Sequence, residues 1–538
     1  MYAADGTRLT TTLVIPYPCD GQYPAVIDRT PYGPTIDLLD LFYVPSGFTA
    51  ILQNQRGCFT SGGDYNFWKS DGTDAYDTMA WFTNHSTYNG EIFTNGASAD
   101  GCSALADFTQ PNPFIKGANY IWATAYGHES AYWGGAYRED LISHWLLTLN
   151  TCPNSVNIEL EVRQNEAYTE WWAPLEADGP YGNNLVNVNA PTISQAGWHD
   201  IFLQGQIDSF DATVAQVSQT DPALAAKMWL WIIPGGHCTG DEGDFGYPRF
   251  ESLQDFPYMS TKMFKGEFDD PVFDYAGKYN FYVMGPVPFY MSDDEKAGGI
   301  TGNYWTSFEA WPEATPTNWY LGPGGLASLE APTDPSSASL TYDPTDPTPA
   351  TGANTLYSST PCGPRDQAPV LQRPDALVWR AAEPFAEATA VVGRVSATLT
   401  VSSSAVDTDF YVVLTDTYPD GGPTVNVRYG GAKMRWNTPD ATPFVAANME
   451  PGAVYEVTVD MWSTAYVFNP GHTLGVIVTS ARHPEFSTNP NNGLPLADQA
   501  DGPLVVANNT VFGGASGLSY VTLPVVPLSA IPLNPHIR

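Results

Sequence analysis

Positive charge is what this 538-residue chain has least of. Twenty-two Lys and Arg stand against fifty-eight Asp and Glu, leaving a net charge of −36. Nucleic acid is a poor partner for such a chain, because phosphates are neutralised by Lys and Arg, and an anionic membrane surface is disfavoured by the same balance. Long apolar runs are missing too: none approaches the ~18 residues of a membrane span. Cysteine is sparse, and Cys19, Cys58, Cys102, Cys152, Cys238 and Cys362 form no C-x-x-C pair, which argues against a zinc site. Disulfides are open, with no pairing readable from spacing. No signal peptide leads the chain; Asp5-Gly6-Thr7-Arg8-Leu9 reads as a turn into a first strand, so the protein is either leaderless or given from its mature start. An acidic, well-hydrated surface and the sequons Asn84-His85-Ser86 and Asn508-Asn509-Thr510 point to an extracellular protein.

What the chain does have is a globular composition, 43% hydrophobic and 13% aromatic, over a length that calls for two or three cores. Residues 1–122 alternate strand signals, such as Ala25-Val26-Ile27 and Phe48-Thr49-Ala50-Ile51-Leu52, with turns and helices. A helix is expected from Thr73 to Phe82, with Asp71, Asp74 and Asp77 along a solvated side. Residues 123–190 change character: Trp133, Trp145, Trp171 and Trp172 sit in helical stretches, Glu139 to Leu149 and Asn165 to Leu175, as in a cap inserted into a sheet. Strand signals resume at Thr192 and run to about residue 312. A Pro/Gly/Ser/Thr-rich junction follows, and residues 313–538 then show repeated strands with almost no helix, the pattern of a β-sandwich.

The chemistry is concentrated in three segments. Gly96-Ala97-Ser98-Ala99-Asp100-Gly101 follows a strand-like run and opens a small-residue helix, the layout of a nucleophile elbow. Gly197-Trp198-His199-Asp200 follows the strand Thr192 to Ala196. Pro234-Gly235-Gly236-His237 follows the buried strand Trp229 to Ile233. The chain order Ser, Asp, His is that of α/β-hydrolases. Ser98 is the candidate nucleophile, His237 the general base and Asp200 the residue that orients it. His199 rivals His237 by adjacency to Asp200, but neighbours on an extended segment point opposite ways. Trp133, Trp145 and Trp198 are candidate pocket walls.

These motifs resemble the cocaine esterase / Xaa-Pro dipeptidyl peptidase family of serine hydrolases along nearly the whole chain. Asp5-Gly6-Thr7-Arg8-Leu9 resembles its opening D-G-x-x-L, Arg29-Thr30-Pro31-Tyr32 its R-x-P-Y, and Arg56-Gly57 with Ser61 and Gly63 its R-G-x-x-x-S-x-G. Gly197-Trp198-His199-Asp200 is similar to G-W-x-D, and Val401 to Phe410 and Phe468-Asn469-Pro470-Gly471-His472 are similar to its jelly-roll signatures. The resemblance implies an α/β-hydrolase with an inserted helical cap and a C-terminal jelly roll. It implies the triad Ser98, Asp200 and His237, and an oxyanion hole made by the Tyr32 hydroxyl and the Ala99 N–H. Two departures stand out: Ala99 replaces the Tyr usual after the nucleophile, and Asn54 replaces an Asp two residues before Arg56, so Arg56 needs another partner.

The function expected is hydrolysis of a carboxylic ester or amide through an acyl-enzyme on Ser98, with no cofactor and no metal, on a small ester, amide or peptide. The alternatives are an Xaa-Pro dipeptidyl aminopeptidase or an amino-acid ester hydrolase or acylase, and, from another class, a catalytically silent binder of carbohydrate or polymer. Oligomeric state is not legible.

Overall fold

The computed structural model describes residues 1–33, 42–176, 184–237, 245–247, 255–299, 301–356 and 362–537. Cys238 lies outside them.

Among the described residues, the short apolar runs of the first half become a nine-stranded sheet. In spatial order its strands are Thr11–Val14, Thr49–Asn54, Tyr23–Thr30, Tyr88–Ala97, Ile115–Ile121, Thr192–Gly197, Met228–Ile233, Tyr279–Val283 and Tyr304–Phe308. Every pairing is parallel except those of the two edge strands. Parallel strands are covered on both faces, so they need continuous apolar runs rather than alternation; Thr49–Asn54, Thr192–Gly197 and Met228–Ile233 are buried at every position. Both loops proposed from sequence to carry Asp200 and His237 leave the carboxyl ends of adjacent strands, Thr192–Gly197 and Met228–Ile233, and Ser98 leaves the same end of Tyr88–Ala97.

Between the strands Ile115–Ile121 and Thr192–Gly197 the chain forms a cap: the helices Glu139–Thr148 and Ser155–Gln164 and the 3-10 turn Glu170–Leu175. The helix expected at Asn165–Leu175 is therefore shifted. Asn165 ends one helix as its C-cap, and Pro174 inside the following turn has no N–H to donate to a longer one.

The described residues of the second half form an eleven-stranded β structure, the jelly roll. Its longest ladder pairs Thr389–Ser403 with Tyr455–Phe468. It docks against the hydrolase through backbone bonds from Met284 N–H to the Ala465 carbonyl (2.9 Å) and from Val467 N–H to the Met284 carbonyl (2.8 Å).

The first helix, Asp71–Phe82, departs from expectation in its acidic side. Asp71 and Asp74 are buried, not solvated. Asp74 accepts from Arg56 Nε at 3.0 Å and Nη2 at 2.6 Å, and Asp5 accepts from its Nη1 at 2.7 Å. That is the partner Arg56 needed once Asn54 stood in place of a carboxylate. Asp71 faces the buried Arg29 at 3.5 Å.

Arg29 explains why its motif sits on the strand beside the elbow. Its Nη2 donates to the Ser103 carbonyl at 3.0 Å and to Asp107, so it clamps the helix Ala99–Ala106 that Ser98 precedes. Thr94 holds the other Asp107 oxygen at 2.6 Å. Removing one partner of a buried ion pair strands a charge, at about 3–5 kcal/mol. Arg29→Met is therefore expected to lower the urea midpoint by an amount equivalent to that loss, whereas a change under about 0.5 kcal/mol, the range of ordinary surface substitutions, would show the clamp carries no weight.

Cys58 and Cys152 form a disulfide across 94 residues of sequence, and Cys362 is disulfide-bonded as well. The first bridge ties the Arg56-Gly57 loop to the cap, where Thr151 Oγ1 donates to the Pro31 carbonyl at 2.6 Å, next to Tyr32. Closing a loop of that length is worth up to about 4–5 kcal/mol in chain entropy, and about 2–4 in practice. Cys58→Ser is expected to lower the melting temperature by several degrees; an unchanged melt would mean the bridge does not constrain the unfolded chain.

Candidate active site

At the elbow, Ser98 has φ 60° and ψ −124°, a backbone state that costs a non-glycine residue strain and that surrounding structure must impose. The glycines do so. A Cβ on Gly96 would meet the Asp100 carbonyl oxygen at 2.2 Å, and one on Gly101 would meet Ala123 Cβ at 2.8 Å and the Ile121 oxygen at 2.9 Å. The turn exists only because both positions lack a side chain.

The Asp and His loops are pressed together in the same way. A Cβ on Gly197 would reach the Gly235 oxygen at 2.3 Å, and one on Gly236 would reach His199 C at 2.6 Å and Asp200 N at 2.7 Å. The result is one hydrogen-bonded chain. Ser98 Oγ lies 2.7 Å from His237 Nε2, and His237 Nδ1 is bonded to Asp200 Oδ2. Asp200 is fully buried, and its carboxylate also accepts the backbone N–H of His237 at 3.0 Å and of Phe202 at 2.9 Å. Because Nδ1 faces a carboxylate, the ring proton sits there and Nε2 is left to accept the serine proton. The rings of Trp122 and Phe202 flank the imidazole at 5.3 Å and 5.7 Å.

His199 lies elsewhere. It is buried against Phe245, and burial together with Arg428 and Arg365 pushes its pKa down to about 3, so the ring stays neutral.

Tyr32 and Ala99 are the two donors named for the oxyanion. Ala99 opens the helix Ala99–Ala106, so its N–H has no acceptor within that helix. The Tyr32 hydroxyl accepts from Trp145 Nε1 at 3.0 Å. Indole is a donor only, so this bond occupies a lone pair of the phenol and not its proton. Trp145 is itself fixed by stacking on Trp68 at 5.5 Å and 9°, and Trp68 Nε1 donates to the Ala99 carbonyl at 3.0 Å. One aromatic stack thus ties both donors together.

A cavity opens from Ser98, Tyr32 and Ala99, with Phe67, Trp68, Trp145 and Phe202 in its walls. Trp133 and Trp198 are not in those walls. Trp133 is buried at the cap–jelly roll contact, stacked on Trp462 at 3.7 Å, with its Nε1 donating to the Asp460 carbonyl at 3.0 Å. Trp198 is fully buried, donating to the Tyr282 carbonyl at 2.7 Å, so it pins the Asp200 loop to the sheet. Phe67 and Trp68 could have been suspected as walls only from their place in the loop after Gly63.

Three further residues escaped sequence reasoning. Arg428 of the jelly roll donates to the Trp198 carbonyl at 2.5 Å, Asn354 donates to the Asp200 carbonyl at 3.0 Å, and Arg138 of the cap donates to the Ile201 carbonyl at 2.7 Å. Both added domains therefore hold the loop that carries Asp200. No local pattern marks them, because each acts on a backbone carbonyl far away in sequence. Among the described residues there is no cluster of His, Cys, Asp and Glu able to hold a metal ion, and no helix is long and apolar enough to cross a membrane.

A parallel sheet with Ser, His and Asp meeting at its carboxyl edge, under a cap and beside a jelly roll, defines a serine hydrolase of the α/β-hydrolase fold. Residues 5–158 match the family model described as X-Pro dipeptidyl-peptidase (S15 family), and residues 285–522 match that of the X-Pro dipeptidyl-peptidase C-terminal non-catalytic domain. The chain is 27% identical to the cocaine esterase of Rhodococcus, with 97% of each chain covered. Among solved structures it is similar to an α-amino acid ester hydrolase, with a TM-score of 0.80, 21% identity, and coverage of 97% of this chain and 95% of that one. It is also similar to an aminopeptidase from a marine-sediment Thaumarchaeota archaeon, with a TM-score of 0.79, 20% identity, and coverage of 98% and 95%. At those identities the structures show a shared fold. The two models match both halves of the chain, which resembles the cocaine esterase / X-Pro dipeptidyl-peptidase family of serine hydrolases along nearly its whole length.

Proposed function

We propose that Ser98, His237 and Asp200 are the catalytic triad and that the preferred substrate is a carboxylic ester with an uncharged, apolar acyl group. Ser98 Oγ attacks the acyl carbonyl while its proton passes to His237 Nε2. The Tyr32 hydroxyl and the Ala99 N–H receive the oxyanion. The tetrahedral adduct collapses, the alcohol leaves with the proton from His237, and a water then repeats the cycle to release the acid. Asp200 holds the ring tautomer and stabilises the imidazolium.

The observation that carries the ester preference is the cavity wall. Among the described residues, those that line it include no Asp, Glu, Lys, Arg or His. A free α-ammonium in such a space would be a buried unpaired cation, at a cost of several kcal/mol. Three cap carboxylates have other partners: Glu129 faces Arg394 at 3.9 Å, Glu139 faces Arg163 at 3.2 Å, and Asp140 holds the Thr355 hydroxyl. The second reading, an Xaa-Pro dipeptidyl aminopeptidase, is favoured by the names of the two family models and by the archaeal aminopeptidase. The test is p-nitrophenyl butyrate against Ala-Pro p-nitroanilide. The ester is expected to lead in kcat/KM by at least about a hundredfold, the worth of roughly 2.7 kcal/mol of ammonium desolvation. A faster anilide whose cleavage stops when its amine is blocked would assign the enzyme to the peptidases. The Cys58–Cys152 disulfide supports export to an oxidising compartment.

A further inference from the structure

The cavity does not end at the triad. The residues that face it on and beyond the elbow are Ser98, Ala99, Cys102, Leu105, Ala106 and Thr109, a spacing of one, four, seven, eight and eleven that marks a single stripe of an α-helix. The opposite side of the same helix is taken by Ser103 and Asp107, which are bonded to Gln55 and Arg29. The open stripe therefore runs the full length of the helix Ala99–Ala106, with Thr109 one turn beyond it at the end. At 1.5 Å per residue the distance from Ser98 to Ala106 is about 12 Å along the axis. The far end of the space is lined by Ala106, Thr109 and Leu185.

We infer that this space is an acyl channel for an unbranched, medium-length chain. Resting on the proposed acyl-enzyme at Ser98, the reading goes further by fixing a length. An extended chain of ~1.5 Å carbon–carbon bonds in staggered torsions advances about 1.25 Å per bond, so a 12 Å channel takes about eight to ten carbons. The small side chain of Ala99 leaves the cross-section, and Leu105, Leu141 and Ile142 give it apolar walls. Ala106 and Thr109 set the ceiling.

The experiment is a series of p-nitrophenyl esters from acetate to palmitate on the full chain. Burying a methylene is worth about a fourfold gain, so kcat/KM is expected to climb about fourfold per carbon, level off near octanoate to decanoate, and fall beyond. Ala106→Phe is expected to lower the ratio of octanoate to butyrate kcat/KM by about tenfold or more. That ratio does not depend on the fraction of protein that folds. Thr109→Leu, at a half-buried position after the helix, is expected to move the ceiling the same way. A profile flat from acetate onward, a rise that continues to palmitate, or an octanoate-to-butyrate ratio unmoved by both variants would overturn the channel while leaving the ester reading standing. No hydrolysis of any ester alongside cleavage of Ala-Pro p-nitroanilide would overturn the ester reading, and the channel with it.

Discussion

Ser98→Ala is expected to remove ester turnover almost entirely, with kcat falling on the order of 10⁶-fold, because a triad acts as one unit and loses nearly everything with its nucleophile. The fold should survive. The Ser98 side chain contributes one hydrogen bond, to His237, and the elbow is shaped by Gly96 and Gly101 rather than by the hydroxyl. Circular dichroism and the melting temperature should therefore match the parent protein while kcat collapses. Residual activity above about 10⁻³ of the parent would show that another group attacks the carbonyl, since oxyanion donors and binding alone leave far less.

Tyr32→Phe should give the second-largest loss. It removes one hydroxyl and almost no volume, and the loss of a single preorganised oxyanion donor costs about 10²–10³-fold in kcat. KM should move little, because the bond is made to a charge that forms only in the transition state. The split distinguishes this role from packing. Tyr32 is 41% exposed, so a merely structural tyrosine there would leave kcat nearly untouched, and a change confined to KM would place its hydroxyl on the ground-state ester instead. The Trp145 indole, 3.0 Å from the phenol oxygen, holds that hydroxyl in place.

Glycine made much of this legible from sequence. At Gly96, Gly101, Gly197 and Gly236 a side chain would collide with backbone or with a neighbouring Cβ, so the close approaches that build the elbow and press the two loops together were written as glycine patterns beside buried strands. The strands themselves were readable because parallel burial demands unbroken apolar runs. What stayed hidden depends on partners distant in the chain. Asp71 and Asp74 look like a solvated helix face until Arg29 and Arg56 are brought against them. Trp133 and Trp198 look like pocket aromatics, but one fills the seam to the jelly roll and the other reaches a carbonyl on a neighbouring strand. Arg428 and Asn354 steady the Asp200 loop from more than a hundred and fifty residues away, and no local pattern encodes such a contact.

The most direct test of the account is to treat the protein with an alkyl fluorophosphonate and map the adduct by peptide mass spectrometry, alongside loss of ester hydrolysis. The account predicts one adduct per chain, on the peptide that carries Ser98, formed in step with inactivation and absent from Ser98→Ala. Inactivation with the label on any other residue, or complete labelling of Ser98 with full activity retained, would contradict it.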